Sequence, residues 1–479
     1  MLEFYSQDNW DGGLSDSIIR GMKGSVAEAV GIDIRTTPGI ITVSQALVKE
    51  SGTTPAVVVD FCKFALIATD GNAYFFGDTG HIYKRTSVGV WTDVYTDTNG
   101  AILGCGEFNG YIYWATATKL GRQSVADAAS ETPWTPNNAW QTLTTAEYHP
   151  MTVMGLYLLI GNDTKIATVD DADIFTANGT PDVTLTDLPP QYTITAITNF
   201  GIDILVGTKV TDTFSSALVL RWDMASPAYV SSDDIPEIGV NCFIPTDNFM
   251  FVQAGTQGRI YYYDGSMLFK KRKLNGDYAN KTMTMYPGSY CSFRGVPCFG
   301  ISNLSGDPVL EGIYTISQYD TDYPISIMLE YVPSTGHLSK MEIGAMISVG
   351  SNLLVAWRDK TSGTVVGVDN ISWSAKYASA YFKTLAIGGD RRKKKTFQEY
   401  AISYKSKPTN TDISLSYYPN YATSDTAISL ENQSDYNKLF AQNKFEAGEA
   451  QFKVVFTISG NNAPEVEEFY VQFNSQEVL

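Results

Sequence analysis

Three histidines are spread through the 479 residues, His81, His149 and His337, each in a turn-like context and far from the others. Histidine changes charge near neutral pH, so it is the first residue to consider for acid–base chemistry. None of the three sits in a His-Glu-x-x-His, Gly-x-Ser-x-Gly, phosphate-loop or dinucleotide pattern. Carboxylates cluster at DDAD (170–173), SSDDIPE (231–237) and DTD (320–322). Paired acids can hydrolyse glycosides when held about 5–10 Å apart, and oxygen ligands in an ordered spacing hold calcium. These clusters lack an ordered ligand spacing and read as solvated turns. The five cysteines, Cys62, Cys105, Cys242, Cys291 and Cys298, are odd in number and scattered. The short gap between Cys291 and Cys298 is not a metal-ligand spacing, so buried reduced thiols are expected, as in a chain folded in a cytosol. No catalytic residue, metal ligand or cofactor site is therefore expected, and the chain reads as non-enzymatic.

One stretch departs from this. GGDRRKKKTF (388–397) places Arg391, Arg392, Lys393, Lys394 and Lys395 in a row, in a chain of net charge −17. Alone, such a run suggests nucleic acid or an anionic surface. The acidity of the whole chain opposes a surface devoted to nucleic acid. The run is expected to be a cationic hinge between domains, docking on acidic surface of its own or a neighbouring subunit. Contact with DNA phosphates and a solvated linker are the alternative readings.

The elements that position these residues follow from composition. Tyr (29), Phe (23) and Gly (40) are abundant, and aromatic residues favour the pleated surface of a sheet. FALIATDGNAYFFGDTGHIYKRTSVGVWTDV (64–94) runs strand, turn, strand three times over, and related units recur about every 40–50 residues up to 388. That is the length of a four-stranded propeller blade, and tight turns favour antiparallel hairpins over crossover helices. The expected fold class is all-β: a propeller over 56–388, of about seven blades with six to eight possible. It is preceded by an extended arm with one or two strands (1–55), including a short helical possibility at SVAEAVGI (25–32). Past 388 come the basic linker and alternating strands such as AISYK and FKVVFTI, which read as a C-terminal β-sandwich (389–479). The start MLEFYSQDNWDGGLSD has neither a cationic nor an apolar leader segment, so no secretory signal is expected. No apolar stretch is long enough to predict a membrane span.

Three stretches carry a resemblance to a known family. They are WDGGLSDS…GSVAEAVGIDIRTTPGI near the start, GVDNISWSAKYASAYFKTLAIGGDRRKKKTFQEYAISYK (367–405), and QFKVVFTISGNNAPEVEEFYVQF (451–473). Their layout resembles the β-propeller structural proteins of tailed bacteriophages, found in the tail nozzle, hub or head-to-tail region. The resemblance implies a virion component made and assembled in the host cytoplasm. It implies a homo-oligomeric ring, often sixfold, around the DNA exit path, in contact with adaptor, hub or fibre proteins and in passing contact with viral DNA. It brings no catalytic residues and no cofactor. An acidic channel-facing surface would let DNA slide without sticking. Two other readings stay open: a receptor- or carbohydrate-binding propeller on the tail, and a glycan-cleaving propeller enzyme.

Overall fold

A computed structural model describes residues 2–475 except 16, 18, 20, 51–56, 213–215, 247–248, 274–281, 305–309, 318–324, 336–339, 362–364 and 390–392. His337, the 320–322 carboxylates, Arg391 and Arg392 lie outside the described residues.

The strands of blade 1 show why the chain folds as it does. Cys62–Ile67, Ala73–Gly77, His81–Arg85 and Trp91–Thr96 pair in sequence order as one antiparallel sheet. The second strand, AYFFG, is buried throughout. Tyr74 and Phe76 join the core shared with blade 2, while Ala73 and Phe75 join the core shared with blade 7. Both faces of the sheet are covered, so the strand is apolar at every position rather than alternating. Turns such as Asn109-Gly110, with φ of 47° and 77°, fit the two-residue type I′ hairpins that join strands of the correct twist.

Seven such four-stranded sheets follow one another, and the first strand of each touches the first strand of the next in a closed ring. A separate apolar cluster fills each of the seven blade interfaces. The chain is therefore a seven-bladed β-propeller. Blade 7 takes only three strands from its own stretch, Met341–Val349, Asn352–Asp359 and Val365–Lys376. Its fourth is Gln45–Lys49, with Asn370 opposite Val48 and Ile371 opposite Leu47. N-terminal chain thus closes the ring, and Leu47 is buried in the core between blades 6 and 7.

The first 49 residues are more than an extended arm. Leu2–Gln7 is an edge strand of a five-stranded sheet, and Gly13–Leu14 and Ser25–Val30 extend a six-stranded one. These two sheets contain the C-terminal strands from Lys395–Ser406 to Glu465–Ser475, and residues of both sheets share one core. The helical possibility at 25–32 is not realised: Ser25–Val30 is a strand pairing with Tyr381–Thr384. Val26, Ala29 and Val30 are buried there, so tertiary burial overrides the helix propensity of the alanines and glutamate. Tyr381–Thr384 belongs to the same sheet, which places the start of the sandwich's C-terminal part before residue 388.

The sandwich packs on blade 6. The fourth strand of that blade, Ser326–Tyr331, is buried at every position because the N-terminal strands lie against it. Arg35 reaches across to Glu330, with Nε 2.9 Å from Oε2, and Thr315 donates to the same carboxylate at 2.9 Å. Arg272 of blade 5 donates to the Gly12 carbonyl at 3.1 Å. One continuous cluster includes Phe251 of blade 5, Tyr314 of blade 6, and Phe397 and Phe452 of the sandwich.

Candidate functional site

The described part of the basic run divides where a strand begins. Lys393 is exposed, and Lys394 pairs with Glu446 on the neighbouring sandwich strand. Lys395 opens the strand Lys395–Ser406 and is buried, its ammonium donating to the Gly448 carbonyl at 2.7 Å and the Lys393 carbonyl at 3.2 Å. At least these two side chains are engaged by their own chain.

His81 hydrogen-bonds Asp93 at 2.8 Å on the edge of blade 1. His149 is fully buried between the Gly161 and Ala117 carbonyls, 2.7 and 3.4 Å away, and burial pulls its pKa down. The carboxylate clusters stay apart and are used locally. Asp170 accepts the Ala172 and Ile174 amides at 3.0 and 2.7 Å, and Asp173 pairs with Arg122. Glu237 takes Arg259 at 2.6 Å and the Tyr261 hydroxyl at 2.9 Å. Among the described residues no group of three His, Cys, Asp or Glu is arranged to hold a metal ion.

A larger ionic network joins blades 6, 7 and 1. Arg358 bridges Glu342 and Asp78, 2.7 Å from the latter, while Tyr286 and Lys360 also donate to Glu342, at 2.6 and 3.0 Å. Burial acts to raise the Glu342 carboxyl, yet these donors outweigh it and hold the pKa at about 2. Asp78 goes the other way, to about 6, through burial and the neighbouring Asp60 carboxyl. Every partner in this network is supplied by the protein, so it reads as a rivet between blades.

Along the propeller axis runs a cavity of ≈ 390 Å³ lined by the first strands, with Phe64, Cys105, Met151, Ile197, Cys242 and Cys291 among its walls. Its lining mixes apolar side chains with exposed polar atoms such as those of Ser292 and Ser348, and no carboxylate is among the described lining residues. Its volume is that of a small-molecule pocket.

The two propeller faces differ in the apolar side chains they expose. Turns joining first to second and third to fourth strands carry exposed Val88, Val90, Leu156, Ile174, Ile202, Val230 and Met267, with Ile67 and Trp373 at the same end of their strands. Ile202 and Val88 are 85% and 83% exposed. The opposite face shows Val59, Ile238 and Val365. The apolar-tipped turns also carry Asp70, Asp171, Asp173, Asp223 and Asp264 against Arg294. Turn amides hold the Asp223 and Asp264 carboxyls below the usual range, led by Ser226 and Ser266 respectively, so both stay charged. Apolar tips over acidic turns suit a partner surface of apolar and basic side chains. The sequence reading missed this face. Its signal was present in Gly155-Leu156 and Gly201-Ile202, where a large apolar residue directly follows a turn glycine.

No family model and no curated protein matches the chain. Among solved structures it is similar to the extracellular domain of the one-component system BT4673 from B. thetaiotaomicron, at 15% identity and a TM-score of 0.45 over 70% of this chain and 41% of that one. It is also similar to the β-propeller domain of Myceliophteria thermophila Cps50 (Swd1), at 10% identity and TM-score 0.45 over 69% and 100%. A third is the Pan2 WD40 domain of Neurospora crassa, at 8% identity and TM-score 0.42 over 70% and 97%. The chain spans about two fifths of the matched BT4673 chain. The propeller assignment rests on the strand topology described above.

Proposed function

We propose that the chain is a non-enzymatic structural protein of a bacteriophage tail, nozzle- or hub-like. It assembles as a homo-oligomeric ring around the DNA exit path and meets adaptor, hub or fibre proteins. The observation that carries this reading is the apolar-tipped, acidic propeller face on a body whose N-terminal strands fasten propeller to sandwich. A face of that kind serves lasting contact with protein, and its charge repels DNA phosphates. The resemblance of the N-terminal GGL segment, the 367–405 stretch and the closing sandwich to tail proteins supplies the setting. Among the described residues, Asp170, Asp173 and Glu237 of the clustered carboxylates are engaged in turns and strand contacts rather than left facing a groove.

Two measurements test it. Electron microscopy of the intact particle, with the chain labelled, is expected to place it in a ring in the tail. Light scattering of the purified protein compares wild type with Leu156→Asp/Ile202→Asp. The variant is expected to keep its melting temperature, because both side chains are exposed, and to lose the oligomer. A chain that is absent from the particle and monomeric at every concentration refutes the proposal.

A further inference from the structure

Blade 6 begins with the hairpin Tyr290–Phe293 and Val296–Ile301, joined by Arg294-Gly295. Both turn residues have positive φ, 53° and 77°, as a two-residue type I′ turn requires. The pairs run Phe293–Val296, Ser292–Pro297, Cys291–Cys298 and Tyr290–Phe299. In such a hairpin the pair beside the turn is hydrogen-bonded, and bonded and non-bonded pairs then alternate. Pro297 has no N–H and falls at a non-bonded pair, as it must. Cys291 and Cys298 therefore form the next bonded pair, for which the Cα atoms stand about 5.5 Å apart. That lies inside the Cα range of roughly 4.4–6.8 Å that a disulfide spans, while the Cβ atoms of a bonded pair stand about 5.5 Å apart against the roughly 3.5–4.5 Å of a disulfide, so closure must draw the two strands together by about 1 Å. Directly opposed residues also project from the same face of a sheet, and both cysteines pack against the same core with blade 7.

We propose that Cys291 and Cys298 are a dithiol that closes to a cross-strand disulfide on exposure to a hydroperoxide. The two differ in access. Cys298 is fully buried, whereas Cys291 lines the axial cavity and meets whatever small molecule enters it. Cys291 is thus the attacking thiol and Cys298 the resolving one. In the first step the Cys291 sulfur displaces water from hydrogen peroxide and becomes a sulfenic acid. In the second, the Cys298 sulfur attacks the sulfenic sulfur, the S–S bond forms, and the hydroxyl leaves as a second water with the Cys298 proton. One peroxide is reduced to two waters and two thiols are oxidised. The contact between the two thiols persists in the reduced protein, where hydrogen bonding to Cys291, then burial, pushes the Cys298 thiol up.

Pairing confines the reaction to this hairpin. Cys105 and Cys242 also line the cavity but belong to blades 2 and 5, and Cys62 is buried between blades 7 and 1. The disulfide fastens the innermost strand of blade 6 to its second strand, in the blade that carries the sandwich. A reduced cytosol keeps the pair open, and an oxidising exterior closes it. The inference does not depend on the tail assignment.

The test uses the full-length protein, reduced, desalted and treated with hydrogen peroxide. Remaining thiols are blocked with N-ethylmaleimide and the protein is digested with trypsin without reductant. Arg294 lies between the two cysteines, so trypsin separates them and only a disulfide keeps the two peptides together. The expected result is that linked species, with free thiols falling from the five of the sequence to about three. In Cys298→Ser the link is lost and a Cys291 sulfenic acid is trapped by dimedone. Retention of all thiols, oxidation of Cys291 to a sulfinate without the link, or links to Cys62, Cys105 or Cys242 instead, each overturns the proposal.

Discussion

Replacing Arg35 with methionine tests how the N-terminal segment is fastened to the propeller. Arg35 comes from the chain between sandwich and propeller, and its partner Glu330 sits on the outermost strand of blade 6 with its side chain only 3% exposed. Burial already pushes the Glu330 carboxyl above its ordinary value of 4.5, with Arg35 opposing that shift. Removing the guanidinium leaves Thr315 as a neutral donor facing a buried charge. Breaking a buried pair in this way costs about 3–5 kcal/mol. At roughly 2 °C per kcal/mol for a long chain, the melting temperature at pH 7 falls by about 6–10 °C. The pH dependence separates a charge effect from lost packing. In Arg35→Met the folded pKa of Glu330 rises further above its unfolded value. A group with a raised folded pKa favours the fold most below the unfolded pKa and loses that contribution as pH rises. Relative to wild type, the variant's deficit should therefore open only above the wild-type folded pKa of Glu330, which itself lies above 4.5, at about 1.4 kcal/mol per pH unit up to the variant's still higher pKa. Near pH 4 most of it should vanish. The double variant Arg35→Met/Glu330→Gln should recover most of the loss at pH 7. Scanning calorimetry across pH 4–8 reads all three proteins. A deficit below about 1 kcal/mol, or one equal at pH 4 and pH 7, refutes the account of an uncompensated charge.

Two further outcomes follow from the same structure. Leu47→Ala empties a buried site in the fourth strand of blade 7 and should cost about 2–5 kcal/mol in chemical denaturation. Within the basic run, Lys394→Ala removes an exposed pair with Glu446 and should cost at most about 1 kcal/mol. Lys395→Ala leaves the Gly448 carbonyl without its ammonium donor and should cost about 1–3 kcal/mol. Equal losses in chemical denaturation for the two lysines would contradict their opposite burial.

What could be read from the sequence is what is encoded locally. The 64–94 stretch holds the first blade almost whole, because tight glycine turns and strands buried on both faces leave a mark within 30 or so residues. Repeating that mark gives about seven blades with six to eight possible, and the seven sheets and their interfaces fix the number. The closure of the ring leaves none. Lys49 pairs with Asp369 across most of the chain, and nothing in QALVK distinguishes the edge of a distant blade from a strand of a local hairpin. SVAEAV fails for the related reason that alanine and glutamate speak for a helix, while the available partner, Tyr381–Thr384, is a strand in need of an edge. The basic run shows the same limit at the scale of single side chains. Five cations in a row look equivalent, yet Lys395 opens a strand and is buried while Lys394, just outside that strand, meets Glu446 at the surface. Where the strand begins therefore decides which of these charges can face a partner. The same reasoning favours Leu156 and Ile202 as the residues to test for the proposed assembly, because both sit on turns and are exposed whichever face the flanking strand residues take.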